Sequence, residues 1–179
     1  MTLATDWTST DVTGWFASEK LNGCRAYWDG RTFWTRGGIS VDAPAWFTKG
    51  LPKIHLDGEI HAGRGVGFGN QNTAYKSAMT AVRHGRKWFD ESIRFTAFDA
   101  PHAAGNWKQR MAEAEQAVSR CQFATAINFW RVKTFGVDIV NFMLKIRPLH
   151  GEGICLRNPE TTTYEMGRTQ NLLRFKFVE

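Results

Sequence analysis

The chain has 179 residues and a mass of 20.3 kDa, with 42% hydrophobic residues, 22% charged residues and a formal net charge of +6. That length suits one domain with its own core and no need of disulfides or a structural metal, and the composition excludes a disordered chain. No apolar run approaches the eighteen or so residues of a membrane span, and the start, MTLATDWTST, lacks the basic and apolar regions of a secretory leader.

In chain order, strands are predicted at Cys24–Trp28, Thr32–Thr35, Ile54–His61, Ile93–Asp99, Ile127–Lys133, Gly153–Arg157 and Leu172–Phe177, all rich in β-branched or aromatic residues. Asp29-Gly30 joins the first two as a hairpin turn. Helical periodicity places Ala74, Ala78, Ala81 and Val82 on one face of residues 72–85. Residues 107–122 align Met111, Ala114, Val118 and Cys121 behind Asn106 as N-cap. Residues 136–147 align Val137, Val140, Leu144 and Met143, and stop before Pro148. Hairpin-type strands mixed with helices predict an α+β domain with largely antiparallel sheets flanked by helices. Without a linker or repeat, residues 1–179 read as one domain.

Charge and cysteine narrow the chemistry. Residues 1–60 carry −1, residues 61–110 carry +5 and residues 111–179 carry +2. The middle part, with Lys76, Arg83, His84, Arg86 and Lys87 clustered, is either a patch for phosphate backbones or an ordinary solvated face. Cys24, Cys121 and Cys155 are widely spaced and form no C-x-x-C pair, so buried reduced thiols in a cytoplasmic protein are expected. The 24 aromatic residues (8 Trp, 13 Phe, 3 Tyr) suit either an aromatic core or surfaces that stack on bases.

The segment Ser18-Glu19-Lys20-Leu21-Asn22-Gly23-Cys24-Arg25 carries the sharpest signal. A lysine before a tight glycine turn, with an arginine five residues on, suits attack on a phosphate once burial or nearby cations make the amine neutral. By itself, Lys20 could equally be a surface lysine before a hairpin. Three further segments add to it. Leu56-Asp57-Gly58-Glu59 sets a carboxylate at a strand end, Gly151-Glu152-Gly153 sets another among glycines, and Arg174 and Lys176 share one strand face. Two carboxylates with several cations can together hold Mg²⁺ and a triphosphate.

These segments resemble the ordered motifs of the covalent nucleotidyltransferases: ATP-dependent DNA ligases, RNA ligases and capping enzymes. KLNGCR (20–25), TRGG (35–38), LDGE (56–59), FTAFD (95–99), GEGICLR (151–157) and RFK (174–176) match the family pattern in order and gaps. The runs SEKLNGCRAYWDG, APAWFTKGLP and LDGEIHAGRG look like minimal bacterial and phage DNA ligases. The resemblance implies the ATP-grasp-like adenylation fold of DNA ligases and the cofactors ATP, with AMP as covalent intermediate, and Mg²⁺. It implies nicked double-stranded DNA as partner, a monomer, and no membrane.

By the same resemblance Lys20 would form the lysyl–AMP adduct, while Arg25 and Arg36 would contact the nucleotide or the 5′-phosphate at the nick. Glu59 would contact the ribose, Phe98 would stack on adenine, and the backbone near Glu19 would read the adenine edge. Glu152, with Glu59, would support the metal, and Lys176, beside Arg174, would touch the α-phosphate. Two residues depart from the pattern: Asn22 replaces an aspartate and Arg174 a lysine. An RNA ligase or capping-type guanylyltransferase remains an alternative, as does a nick-binding protein whose adenylation is impaired at Asn22. Relatives usually continue into an OB-fold domain. This chain stops three residues after Lys176, so that domain is expected to be separate or missing, and unaided sealing to be weak.

Other signals receive structural readings. The stretch Gly63–Gly69 lacks the Rossmann and Walker spacings and reads as a turn near nucleic acid. His55 and His61 flank a strand without a third metal ligand, Trp46 reads as packing, and so does the helix near 107–122.

Overall fold

The computed structural model describes residues 1–64, 73–85, 88 and 92–177, and among these it contains two sheets, four α-helices and a short 3-10 turn at Arg147–Leu149. The strands are β1 (Thr2–Asp6), β2 (Phe16–Glu19), β3 (Gly23–Trp28), β4 (Phe33–Thr35), β5 (Ser40–Val41), β6 (Leu56–His61), β7 (Arg94–Asp99), β8 (Ala124–Ala126), β9 (Phe129–Arg131), β10 (Gly153–Arg157) and β11 (Gly167–Lys176). The helices are α1 (Ala45–Thr48), α2 (Thr73–His84), α3 (Trp107–Val118) and α4 (Val137–Ile146). One sheet runs β1-β11-β10-β2-β9 and the other β5-β4-β3-β6-β7-β8. The α+β architecture is as expected, with one refinement: β1 pairs with β11, and β7 with β8, in parallel.

Each sheet has its own core. Trp28, Phe33, Leu56, Ile60 and Phe95 are buried beneath the second sheet with Phe47 of α1 and Ala74, Ala81 and Val82 of α2. Ala17, Ile154, Leu156 and Leu173 are buried beneath the first with Ile139 and Ile146 of α4. A small cluster, Trp107, Met111 and Ile127 with Phe16, Leu21 and Phe98, fills the junction. The predicted strand over Ile127–Lys133 shortens to β9, which pairs with β2, and the unpredicted β8 just before it pairs with β7, because the chain changes sheets between them.

Local signals explain much of this. Asp29 Oδ1 accepts from the backbone N–H groups of Arg31 (2.8 Å) and Thr32 (2.7 Å), and Gly30 takes φ +91, which closes the predicted hairpin. Asn106 caps α3 in a reciprocal box with Gln109, its Oδ1 accepting from the Gln109 N–H at 3.1 Å. That helix ends at Val118, so Cys121 lies beyond it, with its thiol donating to the Gly50 carbonyl. In α2 all four predicted apolar positions are buried.

The predicted inner face of α4 requires correction. Val137, Val140 and Leu144 are 55%, 52% and 67% exposed, whereas Ile139 and Ile146 are buried, with Phe142 and Met143 partly covered between them. The helix is apolar nearly all round, so two stripes fit the same 3.6-residue period and packing selects between them. The strands β1 and β2 were not predicted. Short and mixed in polarity, they are held by ladder partners distant in sequence.

Candidate active site

A cleft of about 910 Å³ opens between the sheets, and all nine sequence-predicted site residues line it: Glu19, Lys20, Arg25, Arg36, Glu59, Phe98, Glu152, Arg174 and Lys176. Adjacent strand ends bring part of this set together. Lys20 follows β2, Glu152 precedes β10 and Lys176 ends β11, and these strands are neighbours in one sheet. The Lys20 N–H donates to the Gly153 carbonyl at 2.8 Å, and Gly153 faces Lys176 in the ladder. A Cβ at Gly153 would lie 2.0 Å from the Phe175 carbonyl oxygen, and one at Gly23 would lie 2.3 Å from that of Ile60. Both motif glycines are therefore required by close backbone approach beside the site.

Glu152 joins the two lysines. Its Oε2 lies 2.6 Å from Lys20 Nζ and its Oε1 2.8 Å from Lys176 Nζ. Burial works to lower the Lys20 pKa, but the charges of Glu152, Cys155 and Glu59 outweigh it and hold the ammonium above its ordinary value. Lys20 is thus a protonated, ion-paired lysine. Cys155 shares the cleft, and burial pushes its thiol up, so it is a weak nucleophile there.

From the second sheet come Arg25 on β3, Glu59 opposite it on β6, and Phe98 on β7. Burial pushes the Glu59 carboxyl up to about 7, against the opposing pull of Lys20 and Arg25. The Arg25 guanidinium is already committed: Nε and Nη2 each lie 2.6 Å from an oxygen of the fully buried Asp57. Its Cζ sits 4.5 Å from the Phe98 ring centroid. Arg36 lies exposed beyond β4 at the cleft rim, and Arg174 pairs with Asp6 at 2.7 Å. Asn22 lines both this cleft and a smaller cavity of about 210 Å³ beside it. Glu19 borders the same small cavity and is held by Arg64 through two contacts, of 2.9 and 2.7 Å.

Several lining residues carried no predicted role. Trp107, Ile127 and Leu21 supply an apolar wall beside Phe98. Arg157 is buried 3.9 Å from Asp99, which Arg110 grips at 2.7 Å. The FTAFD and GEGICLR motifs carried a signal for Asp99 and Arg157, but Arg110 and Tyr164 lie outside every motif.

Of the discounted signals, His55 and Trp46 line neither cavity, whereas His61 and Gly63 border the smaller one with Lys20 and Glu152. His61 Nδ1 accepts from the Gly63 N–H at 3.1 Å, so Nε2 donates to Thr96 Oγ1 at 2.8 Å, and burial drops its pKa to about 4. His55 stacks on His102, and Trp46 packs edge-on against Phe123. Among the described residues no group of three or more His, Cys, Asp or Glu is placed to hold a metal. All three cysteines are free, and no described helix is long and apolar enough to cross a membrane. Of the basic cluster, Lys76, Arg83 and His84 are exposed on or near α2, while Arg86, Lys87 and residues 65–69 of the glycine stretch lie outside the described residues.

The two sheets and the cleft between them are the nucleotidyltransferase fold of ATP-dependent DNA ligase adenylation domains. The chain is 32% identical over 168 residues to a DNA ligase of Haemophilus influenzae, covering 92% of this chain and 59% of that protein. It therefore spans about three-fifths of that relative's length. The structure of a Lig E DNA ligase superposes with a TM-score of 0.83 at 25% identity, over 99% of this chain and 68% of that one. A Chlorella virus DNA ligase–adenylate gives a TM-score of 0.73 at 17% identity, over 98% and 66% of the two chains. No protein-family model matches the chain.

Proposed function

We propose that this chain is the adenylating domain of an ATP-dependent DNA ligase, with Lys20 as nucleophile. The observation that carries the reading is the convergence of Lys20, Glu152 and Lys176 at three neighbouring strand ends, in the cleft that Phe98 and Glu59 border. In the first step Lys20 Nζ attacks the α-phosphorus of ATP. A P–N bond forms, the bond to the β-phosphate oxygen breaks, and pyrophosphate leaves. Nζ must first release a proton to solvent, to which its side chain is partly open. Separation of Glu152 from Lys20 removes the charge that holds the ammonium, and burial then favours the neutral amine. Lys176, freed from Glu152 at the same time, would neutralise the α-phosphate.

Phe98, with the apolar wall of Leu21, Trp107 and Ile127, suits one face of the adenine, and Glu59 reaches toward the ribose. AMP then passes to the 5′-phosphate of nicked DNA, and the 3′-hydroxyl displaces it to join the strands. Arg36 at the rim and the exposed Lys76 and Arg83 suit the DNA backbone, without base readout.

Mg²⁺ fits the donor set. Glu152 and Glu59 offer hard carboxylate oxygens on one cleft, the one or two protein ligands that suffice where phosphates and water complete the shell. Bound there, the ion would offset charge on the phosphates. We propose a monomer in a cytoplasmic setting, where the three thiols stay reduced. The test is incubation with α-labelled ATP and Mg²⁺ followed by a denaturing gel. A labelled band lost in Lys20→Ala is expected, and absence of a band from protein freed of bound AMP would overturn self-adenylation.

A further inference from the structure

Arg25 is held by more than Asp57. Its Nη2 also donates to the Thr2 carbonyl at 3.0 Å. The Thr2 N–H donates to the Tyr164 hydroxyl at 3.0 Å, and that hydroxyl donates to Asp57 Oδ2. The four residues close a ring, Arg25–Asp57–Tyr164–Thr2, in which every link is a hydrogen bond. The ring crosses between the sheets: Arg25 and Asp57 belong to β3 and β6, Thr2 to β1, and Tyr164 to the segment before β11. Phe98 rests on the guanidinium at one corner of it.

We propose that Tyr164 is a positioning residue for the nucleotide pocket, fixing the Arg25 guanidinium through Asp57 and thereby the attitude of the Phe98 ring. Asp57 is fully buried, and a buried carboxylate needs every donor it has. Without the phenol, Oδ2 loses a donor and the Thr2 N–H loses its acceptor, so the carboxylate and the guanidinium both gain freedom. Burial, reinforced by the Asp57 charge, holds the Tyr164 pKa far above its ordinary value, so the hydroxyl remains a donor across the working pH range. Tyr164 lies in ETTTYEMG, a segment without pattern, and acts only through Asp57 and Thr2.

The inference rests on the proposed stacking of adenine on Phe98. Its test is Tyr164→Phe, which deletes one oxygen and keeps the ring. Adduct formation is followed against ATP concentration for wild type and variant, with melting curves and AMP binding by calorimetry in parallel. The expected result is a rise in KM for ATP of about five- to tenfold, with the saturated rate little changed, the size that follows from loosening a hydrogen bond to a charged group. An unchanged KM overturns the proposal, whether or not the melting temperature falls, because that is the signature of a purely structural tyrosine. If wild type forms no adduct yet binds AMP more tightly than the variant, self-adenylation fails and the positioning role stands. If wild type neither forms an adduct nor binds AMP, both fail.

Discussion

The ammonium of Lys20 lies 2.6 Å from the carboxylate of Glu152, a residue 132 positions further along the chain. This contact contributes most to the resting state of the proposed nucleophile: burial opposes the charge, and Glu152 together with Cys155 and Glu59 outweighs burial and keeps the amine charged. Glu152→Gln removes the opposing charge and leaves burial to act. The Lys20 pKa in that variant is expected to fall below its wild-type value. A pH titration of the lysine side-chain NMR signals checks this, and an unchanged midpoint would show that Glu152 does not control the amine.

Glu59 makes stability depend on pH. Its carboxyl titrates near 7 in the folded chain against an ordinary value of 4.5. Between these values the folded state keeps a proton that the unfolded state has lost, so this group's contribution is lost as pH rises from 4.5 to 7. His61, lowered to about 4, acts in the opposite sense from pH 4 to its ordinary 6.5. It is common to wild type and a Glu59 variant and cancels between them. Glu59→Gln is therefore expected to match wild type near pH 4 and exceed it by about 3 kcal/mol near pH 8. Urea unfolding at the two pH values measures the difference. A gap that stays constant or narrows would contradict the burial of this charge.

The two faces of α4 separate in a mutational comparison. Leu144→Ser, on the exposed stripe, is expected to change stability by less than about 0.5 kcal/mol. Ile139→Ala, on the buried stripe, is expected to cost about 3 kcal/mol. Reversed costs would restore the face that periodicity alone favours.

How far the site was legible depended on which residues meet the ligand. Lys20, Glu59 and Glu152 stand in short motifs that hold glycines, and those glycines are needed because strands pass within contact distance there, whereas Lys176 was marked only by the alternation of its strand. Each such motif therefore marks a close strand approach at the cleft, though Glu59, expected at a strand end, lies within β6 and pairs with Arg25 and Thr96. The supports were not legible. Tyr164 and Thr2 hold Arg25 from segments without periodicity, and Arg110 reaches Asp99 from a helix read only as packing. Their partners are brought close by sheet pairing across the length of the chain, as in the parallel β1–β11 ladder, and local pattern carries no record of that. Asp57 shows the boundary between the two: its motif was visible, but not its commitment to Arg25. The fold followed the same division. Helices with one apolar stripe, such as α2, were placed with their buried faces, whereas the doubly apolar α4 was placed with the wrong one.

The central claim is that Lys20 carries the nucleotide. Mass spectrometry of the protein after reaction with ATP and Mg²⁺, followed by peptide mapping, tests it most directly. The account predicts one added AMP on the peptide that contains Ser18-Glu19-Lys20, at the lysine, and none in Lys20→Ala. An AMP adduct on any other residue, or wild-type protein of unchanged mass, would contradict it.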